Sequence, residues 1–137
     1  MTDEPLSDAA AARLRQAITA VQRDLDVIGA EIGLVGAYSG GYRIVLTDTG
    51  DFLSGEPLYA DDESDALWCA ASNAQALVNE FRWQVWPVCP EHDLGLHLWS
   101  AGAGPDWTLD HTDWNVPAWR CRAGKGHEVA LVGELSR

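Results

Sequence analysis

The segment WPVCPEHDLGLHLW, residues 86–99, carries one thiol and two imidazoles within nine residues, and WRCRAGKGHEVALVGEL, residues 119–135, adds a second thiol and another imidazole. These are the donors that zinc takes in a structural site, where four N or S ligands form a tetrahedron and arrive as two short-spaced pairs from turns. Cys89-Pro-Glu-His92 is a C-x2-H pair: two intervening residues let one tight turn aim both side chains at one ion, and Pro90 restricts its backbone. Cys121-Arg-Ala-Gly-Lys-Gly-His127 is a C-x5-H pair in which Gly124 and Gly126 let a longer turn curl back. The spacing predicts one Cys2His2 site made of Cys89, His92, Cys121 and His127. The alternative is two unconnected thiols and ordinary surface histidines.

Two further histidines bear on that site. His97 is a substitute for His92 or His127, although its place in LGLHLW favours packing on an apolar strand. His111, flanked by Asp110 and Asp113, reads as a second metal point, a general base or a solvated loop histidine.

Four protein ligands close a zinc shell, whereas a catalytic zinc keeps a position open for water. Two thiolates also neutralise the dication. The pattern therefore predicts a structural zinc and assigns no catalytic residue. Hydrolysis returns as an alternative if His92 or His127 is unbound, with Glu91, Asp93 or Glu128 as the nearby base. The chain has no H-E-x-x-H, no G-x-S-x-G, no Walker-type phosphate loop and no G-x-G-x-x-G after a strand.

The elements that must position the two pairs are legible as periodicities. From Ser7, Leu14, Ile18, Val21, Leu25, Ile28 and Ile32 recur at spacings of four and three, which predicts a helix capped by Ser7 and ended by Gly29 or Gly33. Tyr42, Ile44 and Leu46 alternate with Arg43, Val45 and Thr47 after a Ser39-Gly40-Gly41 turn, giving a β-meander with a third strand through Phe52–Leu53 or Leu58–Tyr59. Asp61 or Asp62 caps a second helix whose core face is Leu67, Ala70, Ala71, Ala74, Leu77, Val78 and Phe81, with Pro87 as its stop. Cys69 falls opposite that face and reads as an inert thiol, solvated or packed on a neighbour. Residues 100–117 form a Gly-, Asp- and Trp-rich excursion, and HEVALVGEL reads as a closing strand.

Six of the seven tryptophans fall between positions 83 and 119, so aromatic packing is concentrated around the Cys/His segments. Their expected role is to dock the metal lobe onto the second helix. Trp107 and Trp114, in the polar excursion, are the ones expected to be exposed. With Trp99 and His111 they form the candidate ligand or partner surface.

A chain of 137 residues fits one domain, here a helix, meander and helix over 1–85 and a metal lobe over 86–137 packed on it as one compact unit. With 47% hydrophobic and 22% charged residues, it has the make-up of a folded globular protein. The net charge is −12, and residues 1–66 hold thirteen acids against four arginines. Such a field repels phosphates, so no nucleic acid is expected as a ligand, with an acidic mimic of one as the alternative role. The start, MTDEPLSD, has no basic or apolar leader, and no stretch approaches the ~18 apolar residues of a membrane span, so a cytoplasmic location and no membrane partner are expected. Three cysteines, an odd number, agree with a reducing compartment and metal thiolates.

The run WPVCPEH after a helix, followed by WRC, GHEVA and VGEL, resembles a group of small uncharacterised actinobacterial proteins with the pattern W-x-x-C-P-x-H, W-x-C, H-x-V-A-x-[IV]-G-x-L. The resemblance covers Trp83 to Leu135. It implies Cys89, His92, Cys121 and His127 as a zinc-ribbon-like set and brings no activity with it. This chain departs in its long Trp-rich insert between the two half-sites.

The expected fold class is thus α+β: an N-terminal helix, a small antiparallel meander, a second helix and a C-terminal zinc-ribbon-like lobe. The expected function is that of an interaction or accessory protein stabilised by Zn2+, binding another protein through its acidic or Trp-rich surface. A small zinc-dependent hydrolase and a small-molecule binder using the Trp face are the alternatives.

Overall fold

In the computed structural model of the chain, the described residues are 6–27, 32–38, 42–53, 58–104, 107 and 116–136. Helix α1 spans Asp8–Asp26, with Ser7 Oγ accepting from Ala10 N–H at 3.1 Å and Asp8 at its positive end. Leu14, Ile18, Val21 and Leu25 are buried on one face, as their spacing predicts. The helix stops at Asp26, short of the predicted end; Ile28 and Gly29 lie outside the described residues. Ile32 is nevertheless buried. It enters the same core from the returning chain, which Gln22 ties to the helix by bonding Ile32 O and Leu34 N–H at 2.9 and 2.8 Å.

Strands β1, Leu34–Tyr38, and β2, Tyr42–Leu46, pair antiparallel from Leu34↔Leu46 to Tyr38↔Tyr42. The predicted Ser39–Gly41 turn lies outside the described residues. The predicted third strand is absent among described residues 47–53 and 58–60. Instead the chain turns at Thr47–Thr49, and the Arg43 guanidinium sits 4.9 Å from the Phe52 ring centre.

Helix α2, Glu63–Arg82, is capped by Asp62, whose Oδ1 accepts from Asp65 N–H at 2.8 Å. It ends at Arg82, five residues before the predicted stop at Pro87, because Trp83 takes a left-handed conformation (φ 53°, ψ 34°). Its buried residues are Ala66, Cys69, Ala70, Ala71, Asn73, Ala74, Leu77 and Val78. The predicted face is thus rotated: Cys69 is fully buried in the core, while Phe81 is exposed. The cause is that α2 is covered from two sides, by α1 and by strands of both sheets. Asn73 follows Cys69 inward and satisfies its amide by donating to Cys69 O at 2.9 Å.

The remaining strands, β3 His97–Ser100, β4 Pro117–Cys121 and β5 His127–Leu131, form an antiparallel sheet in the order β3-β4-β5. Central β4 is buried along its length, with a register shift between Trp119 and Arg120. Trp86 and Trp119 are both buried and meet edge to face at 5.3 Å between ring centres. The lobe docks on the second helix as expected, with Gln75 on α2 donating to Trp86 O at 3.3 Å and Leu96 O at 2.7 Å, and Trp119 adds a tie to α1, its Nε1–H donating to Asp24 Oδ2 at 2.8 Å. The same carboxylate accepts from Gly133 N–H at 2.7 Å and Leu135 N–H at 3.0 Å. One buried carboxylate on α1 therefore holds both β4 and the segment after β5. The fold is α+β with a C-terminal Cys/His lobe. Among the described residues, no helix is long and apolar enough to cross a membrane.

Candidate metal centre

The first half-site is a narrow turn. Val88 bridges Gly95, Cys89 N–H donates to Leu94 O at 2.8 Å, and Asp93 N–H returns to Cys89 O at 2.9 Å. Leu96 N–H to Pro87 O, 2.8 Å, closes its base. Two residues between Cys89 and His92 then suffice to put the sulfur in the interior and the imidazole at the surface.

The second half-site is the mouth of the β4–β5 hairpin. Cys121 and His127 are direct cross-strand partners, so their side chains leave the sheet together despite the five residues between them. Those five close a turn in which Gly126 N–H donates to Ala123 O at 3.0 Å, with Gly124 and Gly126 at φ 62° and 92°. Positive φ is where glycine is free of strain.

The two turns bring four donor atoms together. Cys89 Sγ lies 3.5 Å from His92 Nδ1 and 3.8 Å from His127 Nε2; Cys121 Sγ lies 3.6 Å from His92 Nδ1; and the two imidazole nitrogens are 3.2 Å apart. All four donors fall within 4.8 Å of one another, close enough to bind one metal ion. The imidazoles meet at 63° with ring centres 5.1 Å apart, presenting nitrogens to a common point instead of stacking.

The sulfurs are prepared unequally. Burial would raise the Cys89 thiol, but the N–H groups of Glu91 and His92 and the His92 ring outweigh it, so its pKa is lowered. Burial raises Cys121, and the neighbouring Cys89 sulfur and Glu91 charge add to it against the opposing Ala123 N–H, which sits 3.4 Å from Cys121 Sγ. Two thiolates side by side repel, and a cation between them removes that repulsion.

The other sequence-predicted residues are placed elsewhere. His97 is on β3 and exposed, edge-on to Trp107 at 5.9 Å, and does not join the cluster. Its place on a strand, with its ring against Trp107, is the packing role that LGLHLW favours, although the residue is exposed. His111 and Trp114 lie outside the described residues. Trp107, expected to be exposed, is half-buried. It packs at 6.0 Å against half-buried Trp99, whose Nε1–H donates to Trp107 O at 2.9 Å, and the Arg120 guanidinium lies 5.0 Å from its ring centre. Glu91 and Asp93 are exposed, while the Glu128 carboxylate accepts from Gly102 N–H at 2.9 Å.

Sequence reasoning missed Arg120 and Asp24, the two buried charged residues around this lobe. Arg120 alternates along β4 with Trp119 and Cys121, a period-two signal that puts it on the opposite face. There it donates to Ala103 O and Gly104 O at 3.2 and 2.5 Å. It also missed Trp83, whose side chain stands in solvent. No protein-family model matches this chain, and the searches of curated proteins and of solved structures return no match either.

Proposed function

We propose that the protein is an interaction or accessory protein whose C-terminal lobe is held by a structural Zn2+ on Cys89, His92, Cys121 and His127. The carrying observation is the set of donor separations. A tetrahedral ion with sulfur at about 2.3 Å and nitrogen at about 2.05 Å sets S···N edges of about 3.6 Å and an N···N edge of about 3.3 Å. Three of the four S···N separations are 3.5, 3.6 and 3.8 Å, the N···N separation is 3.2 Å, and all four donors fall within 4.8 Å of one another. A tetrahedral S2N2 donor set selects zinc or iron in an iron–sulfur setting over magnesium, calcium or manganese, and four donors around one point suit a single ion.

Four protein ligands leave no position for a water nucleophile, which favours scaffolding over hydrolysis. The base candidates give hydrolysis no further support, since Glu128 is engaged by the Gly102 N–H. A protein is the favoured partner because a net charge of −12 repels nucleic acid and anionic lipid alike. The zinc reading also fits a reducing, cytoplasmic compartment, where both thiols remain available to the ion.

The test is metal analysis of protein purified without chelator, run beside Cys89→Ser and Cys121→Ser. One zinc per chain, lost in both variants together with protection of the lobe from proteolysis, is the expected result. A chain that carries no zinc and keeps the same unfolding profile with and without chelator overturns the reading.

A further inference from the structure

Between the last turn of α2 and the first metal turn, the chain turns apolar side chains outward: Phe81 is 36% exposed, Trp83 92%, Val85 64% and Val88 36%. Val85 and Val88 share one surface. A Cβ added to Gly95 would meet Val85 Cγ1 at 2.7 Å, and Gly95 is the bridge partner of Val88. Phe81 and Trp83 lead into this surface within the same eight residues, and exposed apolar side chains concentrated in one stretch, as opposed to scattered singly, mark contact sites.

Trp83 carries a second, independent sign. It ends α2 at φ 53°, ψ 34°, a left-handed position where glycine is the usual residue and a bulky side chain is strained. The helix could stop there without an indole. Strain of this kind concentrates at ligand-contacting positions, and tryptophan is the side chain most enriched at binding hot spots.

The charges beside this ledge define what fits it. Glu80 precedes Phe81 in the helix, Glu91 and Asp93 follow Val88 on the metal turn, and all three are exposed. Arg82, the cation within the stretch, is ion-paired with Asp48 and so neutralised. Arg122 and Lys125 are exposed on the β4–β5 turn, outside this stretch. An acidic rim on a chain of net charge −12 disfavours a second copy and an anionic membrane.

We infer that Phe81, Trp83, Val85 and Val88 form the docking surface for a basic, amphipathic segment of another protein. Its apolar face covers Trp83, and its lysines or arginines meet Glu80, Glu91 and Asp93. This rests on the interaction-protein reading and specifies its surface and partner chemistry.

The test titrates the zinc-loaded full chain into a labelled 18-residue Leu/Lys amphipathic peptide and its Leu/Glu counterpart, read by anisotropy at low and high salt. Binding of the Leu/Lys peptide alone, weakened by salt and at least tenfold weaker in Trp83→Gly, is the expected result. Because glycine suits the left-handed position, Trp83→Gly should unfold at the same temperature as the parent or higher. Val85→Ser, which leaves the helix end untouched, should weaken binding in the same direction. Leu/Lys binding unchanged in both variants overturns the surface while leaving the interaction reading in place. Failure of the Leu/Lys peptide to bind overturns the docking surface and its partner chemistry, while the zinc-held interaction reading stands or falls on its own metal and proteolysis test. Equal binding of the two peptides, or a Trp83-dependent dimer in sedimentation, overturns the partner chemistry; zinc content, measured alongside, keeps the metal reading separate.

Discussion

Replacing Asp24 by alanine removes the acceptor of three donors at once: Trp119 Nε1–H at 2.8 Å, Gly133 N–H at 2.7 Å and Leu135 N–H at 3.0 Å. Each buried donor left unsatisfied costs about 1–3 kcal/mol. Trp119 is fully buried and bears the full penalty, whereas Gly133 and Leu135 are half-buried and recover part of theirs from water. The sum is about 3–5 kcal/mol, a large share of the ~5–15 kcal/mol that holds a domain folded. For a chain of this size that lowers the unfolding midpoint by roughly 10–20 °C. Thermal and urea unfolding followed by circular dichroism measures it, with the urea slope unchanged if both chains unfold in one step. A loss below about 1 kcal/mol would refute the assignment of Asp24 as the joint between α1 and the lobe. Burial pushes the Asp24 carboxyl above its ordinary value of 3.8, against the opposing pull of its three donors and Arg23. The folded state then holds this proton more tightly than the unfolded chain does. That contribution to stability is complete below pH 3.8 and is lost as pH rises through the higher folded value. Wild type should therefore lose stability relative to Asp24→Asn across that window.

Cys69→Ser places a hydroxyl in the core and should lower stability by about 1–3 kcal/mol in urea, while metal content stays at the parental value because Cys69 is outside the cluster. Gly126→Ala forces a side chain into positive φ and puts a Cβ 2.5 Å from Trp107 Nε1. It should cost about 1–3 kcal/mol and shift the tryptophan emission spectrum; a silent substitution would show that the metal turn and Trp107 are not in contact. His97→Gln should leave metal content unchanged, and loss of the ion would place His97 in the shell instead of His92 or His127.

The four clustered residues were readable because two turns with short ligand spacings announce themselves locally. The cross-strand pairing of Cys121 and His127 explains why a five-residue gap still works. Both helix starts were readable for the same reason, since Ser7 and Asp62 bond N–H groups three residues on. What failed depended on contacts far along the chain. Periodicity placed Ala70, Ala71, Ala74, Leu77 and Val78 on the core face of α2 but not its full extent, because burial from two sides also draws in Cys69 and Asn73 and leaves Phe81 out. Asp24 meets Trp119 across 95 positions, and no local pattern marks either as a partner of the other. Trp107 looked exposed in a polar excursion, yet Arg120 and Trp99 give it a surface to pack on. Trp83 looked like packing around the metal lobe but is itself the left-handed residue that ends α2, and its side chain stands in solvent.

X-ray absorption at the zinc edge, on protein purified without chelator, reads the ion and its shell together. The account predicts one zinc per chain bound to two sulfurs at about 2.3 Å and two imidazole nitrogens at about 2.0–2.1 Å, with no water oxygen in the shell. A shell holding a water in place of one imidazole, or a metal bound to a single sulfur, would contradict it.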